Sequence, residues 1–167
     1  MNNHNFTDQQ LRNLDTLETF VTKLEQELGY EALAEIYHSM ETNVLRRKKS
    51  RYKQVWNNVH VLTFETECYK LKLIPSTENC IEVYWIEIKD TERCKGLGSE
   101  LMNTILDISD ELNIKVKAIP CDMFGDGKIE TLYRIRNWYR SLGFKPSKIE
   151  PAAYYYTPQK NLVEQEN

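Results

Sequence analysis

The sequence predicts an α/β fold of the α+β kind: a mixed, mainly antiparallel central sheet flanked by helices, with a helical N-terminal region. Three observations point to it. Residues 59 to 89 hold three strand-like apolar runs separated by short polar turns. Beyond them, two amphipathic stripes at helical spacing alternate with short strand-like runs. A glycine-containing turn, Arg93-Cys94-Lys95-Gly96-Leu97-Gly98, joins the richest strand run to the first of those stripes. A chain of 167 residues suits one domain, and 41% hydrophobic with 28% charged residues is ordinary for a globular protein.

In chain order, Thr7 with Gln10 three positions later forms a capping-box signature. Leu11, Leu14, Leu17, Val21, Leu24 and Leu28 then define one apolar stripe, and Gly29 is its expected C-terminal stop. That stripe can pack on the chain's own sheet, the plainer expectation, or pair with a second copy in a homodimer. Leu33, Ile36, Tyr37, Met40 and Val44 read as a second helix, running into the basic block from Arg46 to Lys53. Val59 to Phe64 and Tyr69 to Ile74 read as an antiparallel pair turning near Glu65-Thr66-Glu67. Pro75 to Asn79 reads as a turn, and Ile81 to Lys89 is the strand richest in branched and aromatic residues. Leu97, Leu101, Ile105, Ile108 and Leu112 mark a helix, and Ile114 to Ile119 a strand ended by Pro120. After the loop at Gly125-Asp126-Gly127, Ile129, Leu132, Arg136, Tyr139 and Leu142 outline the last helix. Strands are expected from Phe144 and over Ala152 to Thr157, then a polar tail from Gln159.

A glycine-containing turn between a strand and a helix offers unpaired N–H groups and the positive end of a helix dipole to an anion. The dinucleotide fingerprint fails here because Leu101 stands where its third glycine belongs. The Walker-type loop fails because Gly96 is followed by Leu97, and Gly98 by Ser99 and Glu100. The run fits Arg/Gln-x-x-Gly-x-Gly/Ala, and Tyr139-Arg-Ser-Leu-Gly143-Phe144 fits Tyr-x-x-x-Gly-Phe. With both motifs in order, residues 59 to 158 resemble the GNAT N-acetyltransferase superfamily. Thr91 to Asn103 is similar to the equivalent segment of its histone acetyltransferases. The Asp- and Gly-containing loop and the Tyr156-Thr157-Pro158 ending resemble small members carried by phages and mobile elements.

The resemblance implies acetyl-CoA as the acyl donor and an amine of a protein or small molecule as the acceptor, with transfer by direct attack. Joined to the helical reading of the N-terminal stripes, it gives the expected division 1–56 helical N-terminal region packed on the core, 57–158 acyl-CoA-binding core and 159–167 tail. The amides from Cys94 to Ser99 (Lys95, Gly96, Leu97 and Gly98 between them) would hold the pyrophosphate, with added charge from Arg93 and Lys95. Ile86, Glu87 and Ile88 would offer their backbone edge to the pantetheine arm. Tyr139 is the implied general acid, facing the coenzyme sulfur, although an unperturbed phenol has a pKa of about 10. Where relatives carry an asparagine seven residues before that tyrosine, this chain has Leu132. The base is open between Glu82, which aligns with the glutamate of the histone acetyltransferases, Glu87 and water. Five residues separate Glu82 from Glu87, which sets them on opposite faces of a regular strand unless a bulge reverses the parity. The alternative reading is a GNAT-fold coenzyme-A-binding interaction protein without turnover.

A net charge of −3 argues against bulk nucleic-acid or anionic-membrane partners. No apolar run approaches the roughly 18 residues of a membrane span. The N-terminus lacks a signal-peptide profile, so a cytoplasmic location is expected. The cysteines Cys68, Cys80, Cys94 and Cys121 are scattered, which fits reduced thiols and no metal site. His4, His38 and His60 show no ligand spacing, and Asp122 to Asp126 lacks the alternating carboxylates of a calcium loop.

Overall fold

The computed structural model describes residues 7–38, 58–77, 79–121 and 128–159. The basic block 46–53, the loop at 125–127 and the tail from 160 lie outside the described residues. Within them, one seven-stranded sheet runs in the order β1-β2-β3-β4-β5-β7-β6. Its strands are β1 (Leu33–His38), β2 (Asn58–Glu65), β3 (Tyr69–Thr77), β4 (Cys80–Ile88), β5 (Lys115–Ala118), β6 (Lys145–Pro146) and β7 (Tyr154–Tyr156). The helices are α1 (Asp8–Leu28), α2 (Leu97–Leu112) and α3 (Ile129–Ser141). All neighbouring strands are antiparallel except β4 and β5, so the sheet is mixed and mainly antiparallel, as the sequence predicts.

Helix α1 begins in a capping box. Thr7 Oγ1 accepts from the Gln10 amide at 3.2 Å, and Gln10 Oε1 from the Thr7 amide at 2.8 Å. Gly29 closes it, its N–H donating to the Glu25 carbonyl at 2.8 Å. The buried face is Leu17, Phe20, Val21 and Leu24, while Leu11 is exposed. The apolar stripe is therefore taken up by the chain's own core, shifted one turn towards the C-terminus and completed by Phe20.

The second expected helix is not formed over Leu33–His38; this segment is β1, paired from Leu33↔Thr63 to His38↔Asn58. Leu, Ile and Tyr suit either element at this spacing, and pairing with β2 overrides the weak helical periodicity. Met40 and Val44 lie outside the described residues. The turn expected over Pro75 to Asn79 is also shorter, because β3 continues to Thr77 with a register shift between Pro75 and Thr77.

The β2–β3 turn closes on Thr66, whose Oγ1 accepts from the amides of Cys68 and Tyr69 at 3.1 Å. One face of the sheet, with Phe64, Leu71, Leu73, Ile81, Val83 and Val116, packs against α1 and the Leu101, Met102, Ile105 and Ile108 face of α2. Because α2 connects the parallel pair β4 and β5, its N-terminus stands at the end of β4, where a ligand can reach it.

Candidate active site

Two departures from regular pairing open a cleft beside β4. The parallel ladder with β5 runs only from Cys80↔Lys115 to Val83↔Ala118, after which the β4 edge has no partner strand on that side among the described residues. In the ladder with β3, Lys72 faces Trp85 and Leu73 faces Val83, so Tyr84 is an extra residue in a bulge and is 55% exposed. The bulge reverses the strand's parity. Val83, Ile86 and Ile88 stand opposite Leu73, Leu71 and Tyr69 on the core face, whereas Glu82, Trp85 and Glu87 stand opposite Ile74, Lys72 and Lys70. Glu82 and Glu87 thus share the face away from the core.

The cleft has a volume of about 730 Å³, within the range of small-molecule sites. Its walls are β4 from Val83 to Ile88, the loop from Glu92 into α2, the segment after β5 with Ile119 and Cys121, and one face of α3. Of the residues singled out in the sequence, Ile86, Glu87, Ile88, Arg93, Cys94, Gly96, Leu97, Gly98, Ser99 and Tyr139 line it together. Lys95 and Glu82 are not in the lining.

The loop has the hydrogen-bonding pattern of an anion cradle. Amides of Glu92 and Arg93 bond back to the Lys89 and Asp90 carbonyls, and those of Ser99 and Glu100 bond to the Gly96 carbonyl. Between them, the amides of Cys94, Lys95, Gly96, Leu97 and Gly98 donate to no group among the described residues. Cys94 and Gly96 adopt left-handed backbone at φ 63° and 87°, turning consecutive N–H groups into a concave nest at the head of α2. Gly98 sits close against β4 and α3, for a Cβ there would meet Ile88 Cγ1 at 3.4 Å and Trp138 Cζ2 at 3.8 Å.

The loop's cations are not free. Arg93 pairs with Asp90 at 2.8 Å and donates through Nε to the Ile88 carbonyl at 3.1 Å, stapling the loop to the end of β4. Lys95 pairs with Glu92 at 3.2 Å.

Tyr139 is 5% exposed and faces the cleft from the last turn of α3. Burial, with a lesser contribution from nearby Cys121, pushes its phenol well above the ordinary tyrosine value. No hydrogen bond to its hydroxyl is made among the described residues. Its ring is held edge-on by Trp138 and Phe144, at centroid distances of 4.8 and 5.2 Å. The spacing from Tyr139 to Phe144 has a physical cause. Gly143 at φ 92° reverses the chain where a Cβ would come within 3.3 Å of Tyr156, and the Phe144 amide then donates to the Tyr139 carbonyl at 3.1 Å.

Glu82 is buried in a different setting. Lys117 Nζ lies 3.1 Å from its carboxylate and also pairs with Glu150, which accepts from the Tyr155 hydroxyl at 2.6 Å. Burial draws the Lys117 ammonium down, but Glu150 and Glu82 outweigh it and leave its pKa raised. The Lys117 hydrogen bond holds Glu150 below the usual carboxylate range, helped by Tyr155 and opposed by desolvation. This network ties β4, β5 and β7 together at the last residues before the strands part.

Residues not anticipated include Trp138, whose Nε1 donates to Ser99 Oγ at 3.0 Å and links α3 to the start of α2. Thr131, Ile135 and Trp138 recur at four- and three-residue steps and line the cleft, a periodicity the sequence carries. Tyr84 and Cys121 had no such signal. Among the described residues no group of His, Cys, Asp and Glu could hold a metal ion, and no helix is long and apolar enough to cross a membrane.

No family model matches the chain, and no curated protein matches it in sequence. Similar solved structures include the anti-CRISPR protein AcrVA5, at 14% identity and TM-score 0.47, over 58% of this chain and 98% of that one. A GNAT-family protein from Desulfovibrio desulfuricans is similar at 19% identity and TM-score 0.44, over 59% and 69%. AtaTR bound with acetyl-CoA is similar at 17% identity and TM-score 0.40, over 65% and 71%. The mixed sheet that opens after the β4–β5 pairing, the run of loop amides at the head of α2 and the turn from Tyr139 to Phe144 stand together around the cleft.

Proposed function

We propose that the protein transfers an acetyl group from acetyl-CoA to an amine by direct attack. The observation that carries this reading is the run of amides from Cys94 to Gly98, unbonded among the described residues, of which Cys94, Gly96, Leu97 and Gly98 line the same cleft as the buried Tyr139. The donor supplies an activated thioester. Cys94, Lys95, Gly96, Leu97 and Gly98 hold its pyrophosphate through their amides, and the unpartnered β4 edge at Ile86 to Ile88 holds the pantetheine amides. Tyr139 donates its hydroxyl proton to the departing thiolate. Water in the open cleft takes the proton of the acceptor ammonium, because Glu82 is committed to Lys117 outside the cleft lining.

The test is the melting shift with acetyl-CoA beside free CoA and ATP, on wild type and on Gly96→Glu. A left-handed residue at position 96 costs an L-amino acid about 1–2 kcal/mol, and the new carboxylate repels a pyrophosphate. A shift selective for the CoA species and lost in the variant supports the reading. No shift, or an equal one with ATP, sinks it.

The loop's own ion pairs lead to a second expectation. Glu92 faces the cleft and occupies Lys95, so Glu92→Gln removes a competing negative charge and releases a cation. Calorimetric titration should find acetyl-CoA bound roughly two- to fivefold more tightly, the scale of an exposed ion pair. Weaker binding would mean that Glu92 shapes the nest rather than opposing its ligand.

A further inference from the structure

The carboxylates at or beside the cleft differ in one respect. Asp90 is paired with Arg93, Glu92 with Lys95 and Glu82 with Lys117. Glu87 has no ion pair among the described residues. Its neighbour across the ladder is Lys70, whose ammonium goes to Glu65 at 2.9 Å. The contact Glu87 does make is with Trp85, two residues back on the same face, whose Nε1 donates to Oε2 at 3.4 Å. Both residues are partly buried and line the cleft.

A carboxylate partly withdrawn from water and fixed by a single indole N–H has unused acceptor capacity, and its complement is a cation. The reacting amine itself does not suit this position, because an ion pair with a carboxylate stabilises the ammonium and suppresses its attack. A second positive centre on the acceptor does suit it. The geometry points to Glu87, oriented by Trp85, as the residue that selects acceptors carrying an alkylammonium group beyond the amine that reacts. Free polyamines and lysine side chains in basic peptides share that chemistry. This inference rests on the acyl-transfer reading above and adds to it a specificity determinant.

The experiment measures initial rates with spermidine, with a lysine-rich peptide and with an uncharged arylamine, on wild type and Glu87→Gln at saturating acetyl-CoA. Acetyl-CoA melting shifts are read on the same samples. Loss of a charge-assisted contact should raise KM for the cationic acceptors roughly tenfold or more, leaving the arylamine within about twofold. The larger effect, on spermidine or on the peptide, tells which source of the ammonium the site takes. An equal loss for all three acceptors makes Glu87 a proton acceptor and overturns the inference. So does failure of wild type to prefer either cationic acceptor over the arylamine. A wild type that shows no acetyl-CoA shift sinks the acyl-transfer reading itself, whereas a normal shift without cation preference sinks this inference alone.

Discussion

Tyr139→Phe is expected to lower kcat about a hundredfold while acetyl-CoA still binds, the lower end of what a positioned general acid contributes. The hydroxyl makes no hydrogen bond among the described residues, so its removal leaves no partner stranded and the ring keeps its contacts with Trp138 and Phe144. Stability should therefore stay within about 1 kcal/mol of wild type. The pH dependence has a defined sign. The acid works when protonated, and burial raises its pKa, so deprotonation of Tyr139 cannot cut the rate until pH passes the usual tyrosine value of about 10. A departing thiolate generated in the same low-dielectric site is raised as well, which keeps proton transfer from so weak an acid feasible. Stopped-flow or steady-state rates from pH 6 to 10 test this. An alkaline fall near pH 8 that vanishes in Tyr139→Phe would contradict the raised pKa, and a variant with unchanged kcat would contradict the role.

Legibility in the sequence followed how local each determinant is. The nest at Cys94 to Gly98 and the turn at Gly143 are set by a few adjacent residues, so their motifs located them. Helix α1 announced its start through Thr7 and Gln10, whose side chains each cap the other's amide. The strand β1 was not legible, since Leu33 to His38 has the spacing of a helix and becomes a strand through pairing with residues twenty to thirty positions away. The bulge at Tyr84 likewise depends on how two strands align, and no residue type demands it. Without it, Glu82 and Glu87 fall on opposite faces; with it, they share one, and ion pairing rather than parity separates them. The neutralisation of Arg93 and Lys95 by Asp90 and Glu92 was within reach, as each pair sits three residues apart in the chain.

Lys117→Met is expected to destabilise the protein by about 3 kcal/mol, because it leaves the buried Glu82 carboxylate without its cation. For a chain of this length that is a fall in Tm of roughly 6–12 °C. Glu82→Gln should cost much less, about 1 kcal/mol, since Lys117 keeps Glu150 and an amide oxygen can still accept from it. Their pH dependences also differ. In wild type, Glu150 is depressed and Lys117 raised, so their contribution is lost only as pH falls below about 4 or rises past about 10, and it is flat between. In Lys117→Met the contribution of the raised lysine is absent, so the loss of stability past about pH 10 should disappear from the variant's profile. The double variant Lys117→Met with Glu82→Met, which removes both charges, should recover most of the loss. These comparisons decide what Glu82 does. A positioning residue that holds β4 to β5 through Lys117 predicts that Glu82→Gln preserves the pH profile of kcat/KM. A general base predicts that the same substitution abolishes its acid limb, and that outcome would return the proton to Glu82.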